Sequence, residues 1–394
     1  MLELLTIPAV MFTTAILHKN YKQSDKKKIA RFFEIANICV KEKNKLEYPR
    51  FKRQEERAAS MMYIYELPLG IPSQLIKKLD EVIAEGLNKP VKIHYESPFL
   101  YVQVFEEDIP KIWEWSEDLI RPGTWKVAIG KTLDKTLYHD FDQTPHLLMG
   151  GLTRMGKTVF LKVLVTTLIK SNPNHTHFFI IDLKEEGLEF TEYQDLKQVI
   201  EVADSPEKAH EVLVKVMALM HQRGKFMKEN RMKNIVQTKE KDRFFVIVDE
   251  GAVLAPAKGL PKNVNRMLEE CQYMLSHISR IGGALGVRLI LATQYPTVTS
   301  VPSVVKQMSD AKLGFRLPTT VASQVVLDEP GLEDLPSLPG RALFKTDRIH
   351  ELQVPYLSDE MMRQLLREYE VIKHHEAPEA QTESQTDRDF IKFK

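Results

Sequence analysis

The eight residues Gly151-Leu-Thr-Arg-Met-Gly-Lys-Thr158 constrain this chain more than any other stretch. They satisfy G-x-x-x-x-G-K-[ST], with an apolar run at His146 to Met149 before them and a helical run at Val159 to Ile169 after them. A glycine-rich turn between a strand and a helix lets backbone N–H groups close around phosphate oxygens, and the new helix points its positive end at the same anion. Gly151, Leu152, Thr153, Arg154, Met155, Gly156, Lys157 and Thr158 are therefore the expected nucleotide-binding residues. Lys157 would contact the β- and γ-phosphates, and the Thr158 hydroxyl would ligate Mg²⁺. A chance turn of this composition is the competing reading, and the flanking strand and helix weigh against it.

Binding alone does not imply hydrolysis. Phe244 to Val248 is an apolar run that ends in Asp249-Glu250, so a strand delivers two carboxylates at its C-terminal edge. Asp249 suits the magnesium, through water, and Glu250 suits orienting and deprotonating the attacking water. Acids at strand ends also occur as plain structure, but the phosphate loop upstream makes the catalytic reading the stronger one. A third run, Leu289 to Ala292, ends in Thr293-Gln294. An amide there can hydrogen-bond the γ-phosphate or the attacking water. ATP hydrolysis with Mg²⁺ is expected, with Lys157, Glu250 and Gln294 as catalytic residues and Thr158 and Asp249 at the metal.

Further apolar runs fall at Phe178 to Ile181, Arg288 to Ala292 and Lys312 to Leu317. They are short, do not alternate and are separated by helical stretches, as parallel strands covered on both faces are. An α/β domain with a mostly parallel sheet is expected over residues 122–357. Residues 58–121 read as a small α/β module for docking or control, with strands at Met61 to Leu67, Val91 to Tyr95 and Phe99 to Phe105 and a helix at Pro72 to Leu87. Residues 1–17 carry one charge, Glu3, and are followed by basic residues. They are expected as a membrane anchor that keeps the rest at the cytoplasmic face, the alternative being an amphipathic or buried helix. Residues 18–57 read as a basic linker or helix: His18 to Arg53 holds 12 Lys/Arg against 4 Asp/Glu. It suits anionic lipid or DNA phosphates, or is simply solvated. Residues 358–394 read as a C-terminal helix and a polar, disordered tail. The net charge of +1 gives no global pull toward polyanions, so a DNA surface must be local; Gly224 to Lys241 and Ala257 to Lys262 are candidates. Cys39 and Cys271 match no metal spacing and suit the core of a protein in a reducing compartment.

Five blocks together resemble the FtsK/SpoIIIE DNA translocases: His146 to Thr158, Ile181-Asp-Leu-Lys184, Val248-Asp-Glu250, Gly286 to Pro296 and Val326-Leu-Asp328. The approach Tyr138 to His146 looks most like the coupling-protein-like ATPases of Gram-positive conjugative elements and plasmids. The resemblance implies a RecA-like P-loop ATPase domain, a homo-hexameric ring around DNA, and a relaxase or other element-encoded partner. It implies DNA movement in conjugative transfer or in plasmid or chromosome segregation. Motors of this type often carry an arginine where this chain has Gly283; Arg280, one turn earlier, or Arg316 could reach a neighbour's γ-phosphate instead. Two other readings are a protein-export motor related to type VII secretion ATPases, which share these blocks, and an ATP switch that does not translocate.

Overall fold

The computed structural model describes residues 24–42, 45–71, 76, 79–184, 187–297 and 299–371. The expected anchor at 1–17 and the tail beyond Lys373 lie outside them. Among the described residues, no helix is long and apolar enough to cross a membrane.

The first part contains helix α1 (Asp25–Ile35) and a short antiparallel pair, β1 (Val40–Glu42) with β2 (Lys45–Glu47). Then come β3 (Arg50–Arg57), β4 (Ser60–Glu66), helix α2 (Leu79–Leu87), β5 (Val91–Glu96) and β6 (Phe99–Phe105). The last four strands make an antiparallel sheet in the order β3-β4-β6-β5. Ile29 and Phe33, four apart on α1, and Leu79 and Ile83 on α2 pack with Tyr65, Leu100 and Val102 of the sheet. From Asp25 onward, the segment read as a basic linker is therefore part of this small core and contributes its edge strand. Lys89 closes the arrangement by donating to Asp25 at 3.0 Å.

At its other end the module stops sooner than its sequence suggests. Trp115 and Leu119 are buried in a different core, and Trp115 Nε1 donates to Thr167 Oγ1 at 3.0 Å. That core belongs to a ten-stranded sheet built from β7 (Lys126–Lys131), β8 (Thr136–Asp140), β9 (Leu147–Gly150), helix α3 (Lys157–Ser171), β10 (Thr176–Asp182) and β11 (Val199–Ala203). The chain continues through α4 (Pro206–Glu229), β12 (Arg243–Asp249), α5 (Lys262–Leu285), β13 (Val287–Thr293), α6 (Ser303–Met308) and β14 (Ala311–Phe315). It closes with α7 (Thr320–Leu327), β15 (Arg341–Lys345), β16 (Ile349–Gln353) and α8 (Asp359–Leu366). The strand order is β11-β10-β12-β13-β9-β14-β15-β16-β7-β8, parallel from β11 to β14 and antiparallel beyond.

Why the parallel strands read as unbroken apolar runs is now visible. Phe245 and Ile247 of β12 face the core under α3, while Val246 and Val248 face the core under α4 and α5. Strands β10 and β13 divide in the same way, so neither face has a wet side to mark the alternation. Helix α3 is itself covered by Trp115 and α8, which is why it is buried on nearly every side.

The N-terminal edge of the sheet is fixed by charge. Asp142 accepts from Arg243 Nε at 2.8 Å and Nη2 at 3.1 Å, and from Arg288 Nη2 at 2.7 Å. The two arginine side chains are 5% and 1% exposed, so neither has water to fall back on. Burial would raise the Asp142 carboxyl, but the two guanidiniums outweigh it and hold the group below the usual carboxylate range. Breaking such a pair leaves an uncompensated charge in the interior. Asp142→Ala is expected to lower the unfolding free energy by about 3–5 kcal/mol, read as a shift of the urea midpoint; an unshifted midpoint would show that the arginines find other acceptors.

Candidate active site

Strand β13 lies between β12 and the phosphate-loop strand β9, so the ends of all three converge at one edge of the sheet. The loop leaves β9 through Gly150 and is pinned from several sides: Gly151 N–H donates to Thr293 O at 3.3 Å, Leu152 N–H to Arg316 O at 3.0 Å, and Met155 O accepts from Gly340 N–H at 2.9 Å. Gly156 takes φ +107°, and a Cβ there would lie 3.0 Å from Gly340 N, so the turn requires glycine on both counts. Lys157 then begins α3.

Around this turn the expected residues meet. Lys157, 3% exposed, donates from Nζ to Asp249 Oδ1 at 2.5 Å and lies 3.8 Å from Glu250 Oε2. Thr158 Oγ1 is 3.4 Å from Asp249 Oδ2, so a hydroxyl and a carboxylate face each other as a hard-cation pair would. Thr153 Oγ1 donates to Gln294 Oε1 at 2.6 Å, joining the loop to the end of β13. Asp249 is fully buried and Glu250 nearly so.

A cleft of about 800 Å³ opens over the loop. Leu152, Thr153, Lys157, Thr158 and Gln294 line one side. Its opposite side is made by residues that no motif announced: Lys111, Ile112 and Glu114 ahead of the first sheet strands, Leu338 to Gly340, and Gln353 to Tyr356. Lys162, a turn beyond Thr158, ties this wall together by contacting Asp359 at 3.1 Å and Glu189 at 3.4 Å. Volume and polarity fit a nucleotide triphosphate with a divalent cation.

Asp182 is a further residue of the site that no motif marks. It ends β10 beside Asp249 in register and accepts backbone N–H bonds from Lys184, Glu189 and Phe190 at 3.3, 3.1 and 3.0 Å. It lies within Ile181-Asp-Leu-Lys184, yet only its place next to Asp249 reveals its work, which is to hold the backbone at Glu189, whose side chain lines the cleft. Burial first, and the charge of Asp249 second, push its carboxyl up to about 6.

The arginines stand apart. Arg280 is exposed on α5, and the Arg316 guanidinium donates to Leu335 O; neither lines the cleft. Gly283, where an arginine might be looked for, has Pro145 against it: a Cβ would lie 2.7 Å from Pro145 Cγ. Of the two basic candidates, Gly224 to Lys241 leads into the start of β12, while Ala257 to Lys262 follows its end. They therefore occupy opposite edges of the sheet. Lys225, Lys228, Arg231, Lys233, Lys239 and Lys241 are all exposed.

The description FtsK/SpoIIIE family matches residues 120–310, from just before the first sheet strand through the phosphate loop, both carboxylates and Gln294. Over just under half of the chain, then, the sequence matches an FtsK/SpoIIIE-family domain. The DNA translocase FtsK of Helicobacter pylori is 28% identical over 282 residues, covering 67% of this chain and 31% of that protein. The chain spans about a third of the length of such curated relatives. Among solved structures, the pCW3 conjugation coupling protein TcpA, determined with ATPgS, matches 88% of this chain and 99% of its own at 23% identity and a TM-score of 0.63. The cytoplasmic domain of the type VII secretion ATPase EccC from Thermomonospora curvata matches 64% of this chain and 32% of its own at 20% identity and a TM-score of 0.54. The FtsK/SpoIIIE domain thus shares its fold with both.

Since Asp182 is held above its ordinary value, the folded chain keeps a proton between about pH 4 and pH 6 that the unfolded chain releases. Its contribution to stability therefore falls as pH rises through that window and is constant above it. The difference in unfolding free energy between the parent and Asp182→Asn is expected to change between pH 4 and 6 and to be flat from about 6.5 to 8; denaturant titrations across that range check it.

Proposed function

We propose that this chain is an ATP-driven DNA translocase of the FtsK/SpoIIIE type, serving conjugative transfer or replicon segregation. The observation that carries the reading is the meeting of Lys157, Thr158 and Gln294 on one cleft, with Asp249 and Glu250 buried behind them and bonded to them, in a stretch that matches the FtsK/SpoIIIE family. Lys157 would exchange Asp249 for the β- and γ-phosphate oxygens, Thr158 and Asp249 would hold Mg²⁺, and Glu250 would accept the proton of the attacking water. Bound magnesium supplies charge neutralisation on the phosphates. Gln294, already bonded to the loop through Thr153, sits where loss of the γ-phosphate would be felt at the end of β13.

Movement of a polymer needs more than this site, and the proposal includes it: a homo-hexamer, a neighbour's arginine such as Arg280 completing the cleft, and exposed lysines contacting DNA phosphates without reading bases. It also includes tethering to the cytoplasmic face of the cell membrane through residues 1–17, and a relaxase or similar partner that selects the DNA. The matching proteins in sequence are named DNA translocases, whereas the likeness to EccC is one of fold. This favours DNA over an exported protein as cargo.

Lys157→Ala is expected to abolish nucleotide binding, while Glu250→Gln keeps binding and loses at least about 100-fold in turnover. Parent ATPase rates in Glu250→Gln would remove the base assignment. ATPase activity should rise with added DNA and lose that rise between 50 and 200 mM salt, roughly the range over which phosphate contacts weaken; a response to neither single- nor double-stranded DNA would overturn the cargo. In cell fractionation the full chain should follow the membrane, and a chain begun at Ser24 should not.

A further inference from the structure

Glu250 does not occupy ordinary backbone. Its φ of 66° and ψ of 57° are left-handed, a conformation that is strained for a residue with a Cβ and persists only where the surroundings impose it. The next residue shows what imposes it. A Cβ on Gly251 would lie 2.6 Å from Leu291 Cδ1, so the turn after Asp249 is pressed directly onto β13. From there the Glu250 side chain crosses the end of that strand. Thr293 Oγ1 donates to Glu250 Oε1 at 2.9 Å, and the Gln294 N–H donates to Oε1 at 3.2 Å and to Oε2 at 3.0 Å.

Thr293 is fully buried in a strand whose other inward positions, Leu289, Ile290, Leu291 and Ala292, are apolar. A hydroxyl at such a place costs stability unless it is partnered, and a carboxylate is its partner here. The branched Cβ restricts the hydroxyl to few orientations. The Thr293 carbonyl also accepts the Gly151 N–H, so one residue touches both the phosphate loop and the carboxylate.

We infer that Thr293 is a positioning residue for Glu250, its hydroxyl setting the direction in which the carboxylate faces the attacking water. The inference rests on the role proposed above for Glu250. The threonine does not line the cleft; it acts through the carboxylate that its hydroxyl holds.

Steady-state ATPase kinetics of the full chain test this with Thr293→Val, which keeps the shape and removes the hydroxyl, and Thr293→Ser, which restores it. Thr293→Val is expected to lower kcat by about 10- to 100-fold, as loss of one hydrogen bond to a charged group would. KM and the affinity for a non-hydrolysable ATP analogue should stay within about twofold of the parent. Thr293→Ser should recover most of kcat. A parent kcat in Thr293→Val, with Glu250→Gln inactive, overturns the positioning role and leaves the base intact. Equal losses in the valine and serine variants, or a KM that rises in step, assign Thr293 to packing and also overturn it. A fully active Glu250→Gln removes the base and the inference with it. Should Thr293→Val not fold, Thr293→Ala compared with Thr293→Ser decides in the same way.

Discussion

Everything at the cleft depends on one strand, β13, being held between β12 and β9 with both of its faces covered. Because the strand is parallel to its neighbours and dry on both sides, the first places where polar side chains can appear are its ends. At the C-terminal end that brings Thr293 and Gln294 within reach of Glu250 on one flank and of the phosphate loop on the other. At the N-terminal end the same confinement makes Asp142 bridge Arg243 and Arg288. His146, fully enclosed at the start of β9, fits the same frame: burial pushes its imidazole down to about 3, and its Nδ1 accepts the Leu289 N–H, which a protonated ring could not do. The sheet therefore carries a structural charge cluster at one edge and the candidate chemistry at the other.

The carboxylates at the chemical edge find their hydrogen-bond partners within the chain. Lys157 satisfies Asp249, Asp249 raises the carboxyl of Asp182, and Asp182 is in turn quieted by three backbone N–H groups. A phosphate arriving in the cleft would compete with Asp249 for the same ammonium, and a divalent cation would take up the carboxylate released. Nucleotide and metal are thus expected to enter as a unit.

Much of this was legible in the sequence, and what was not has physical reasons. The parallel strands could be read because burial on two faces leaves an apolar run, and the loop because its glycines and lysine are dictated by phosphate geometry. Strand β3, Arg-Phe-Lys-Arg-Gln-Glu-Glu-Arg, gives no such signal: it is an edge strand exposed along most of its length, where charge discourages pairing with another chain. Residues 25–57 looked like a linker because the apolar positions of α1 are only a narrow stripe among lysines. The far wall of the cleft comes from short turns at 338–340 and 353–356, where composition is ordinary and only long-range packing gives the residues a place. Gly283 departs from the pattern of such motors because Pro145 leaves no room for a side chain there.

That far wall also says something about the order of assembly. The phosphate loop is synthesised between the two surfaces that face it, which come from about residue 111, before it, and about residue 356, well after it, joined where the Trp115 N–H donates to Tyr356 O and the Tyr356 N–H donates to Trp113 O. Contacts so distant in sequence form late, because the intervening loops must close first. A ribosome-bound chain that has released the loop but not residues 338–356 holds a phosphate cradle without its far wall, so competence to bind nucleotide waits for that segment.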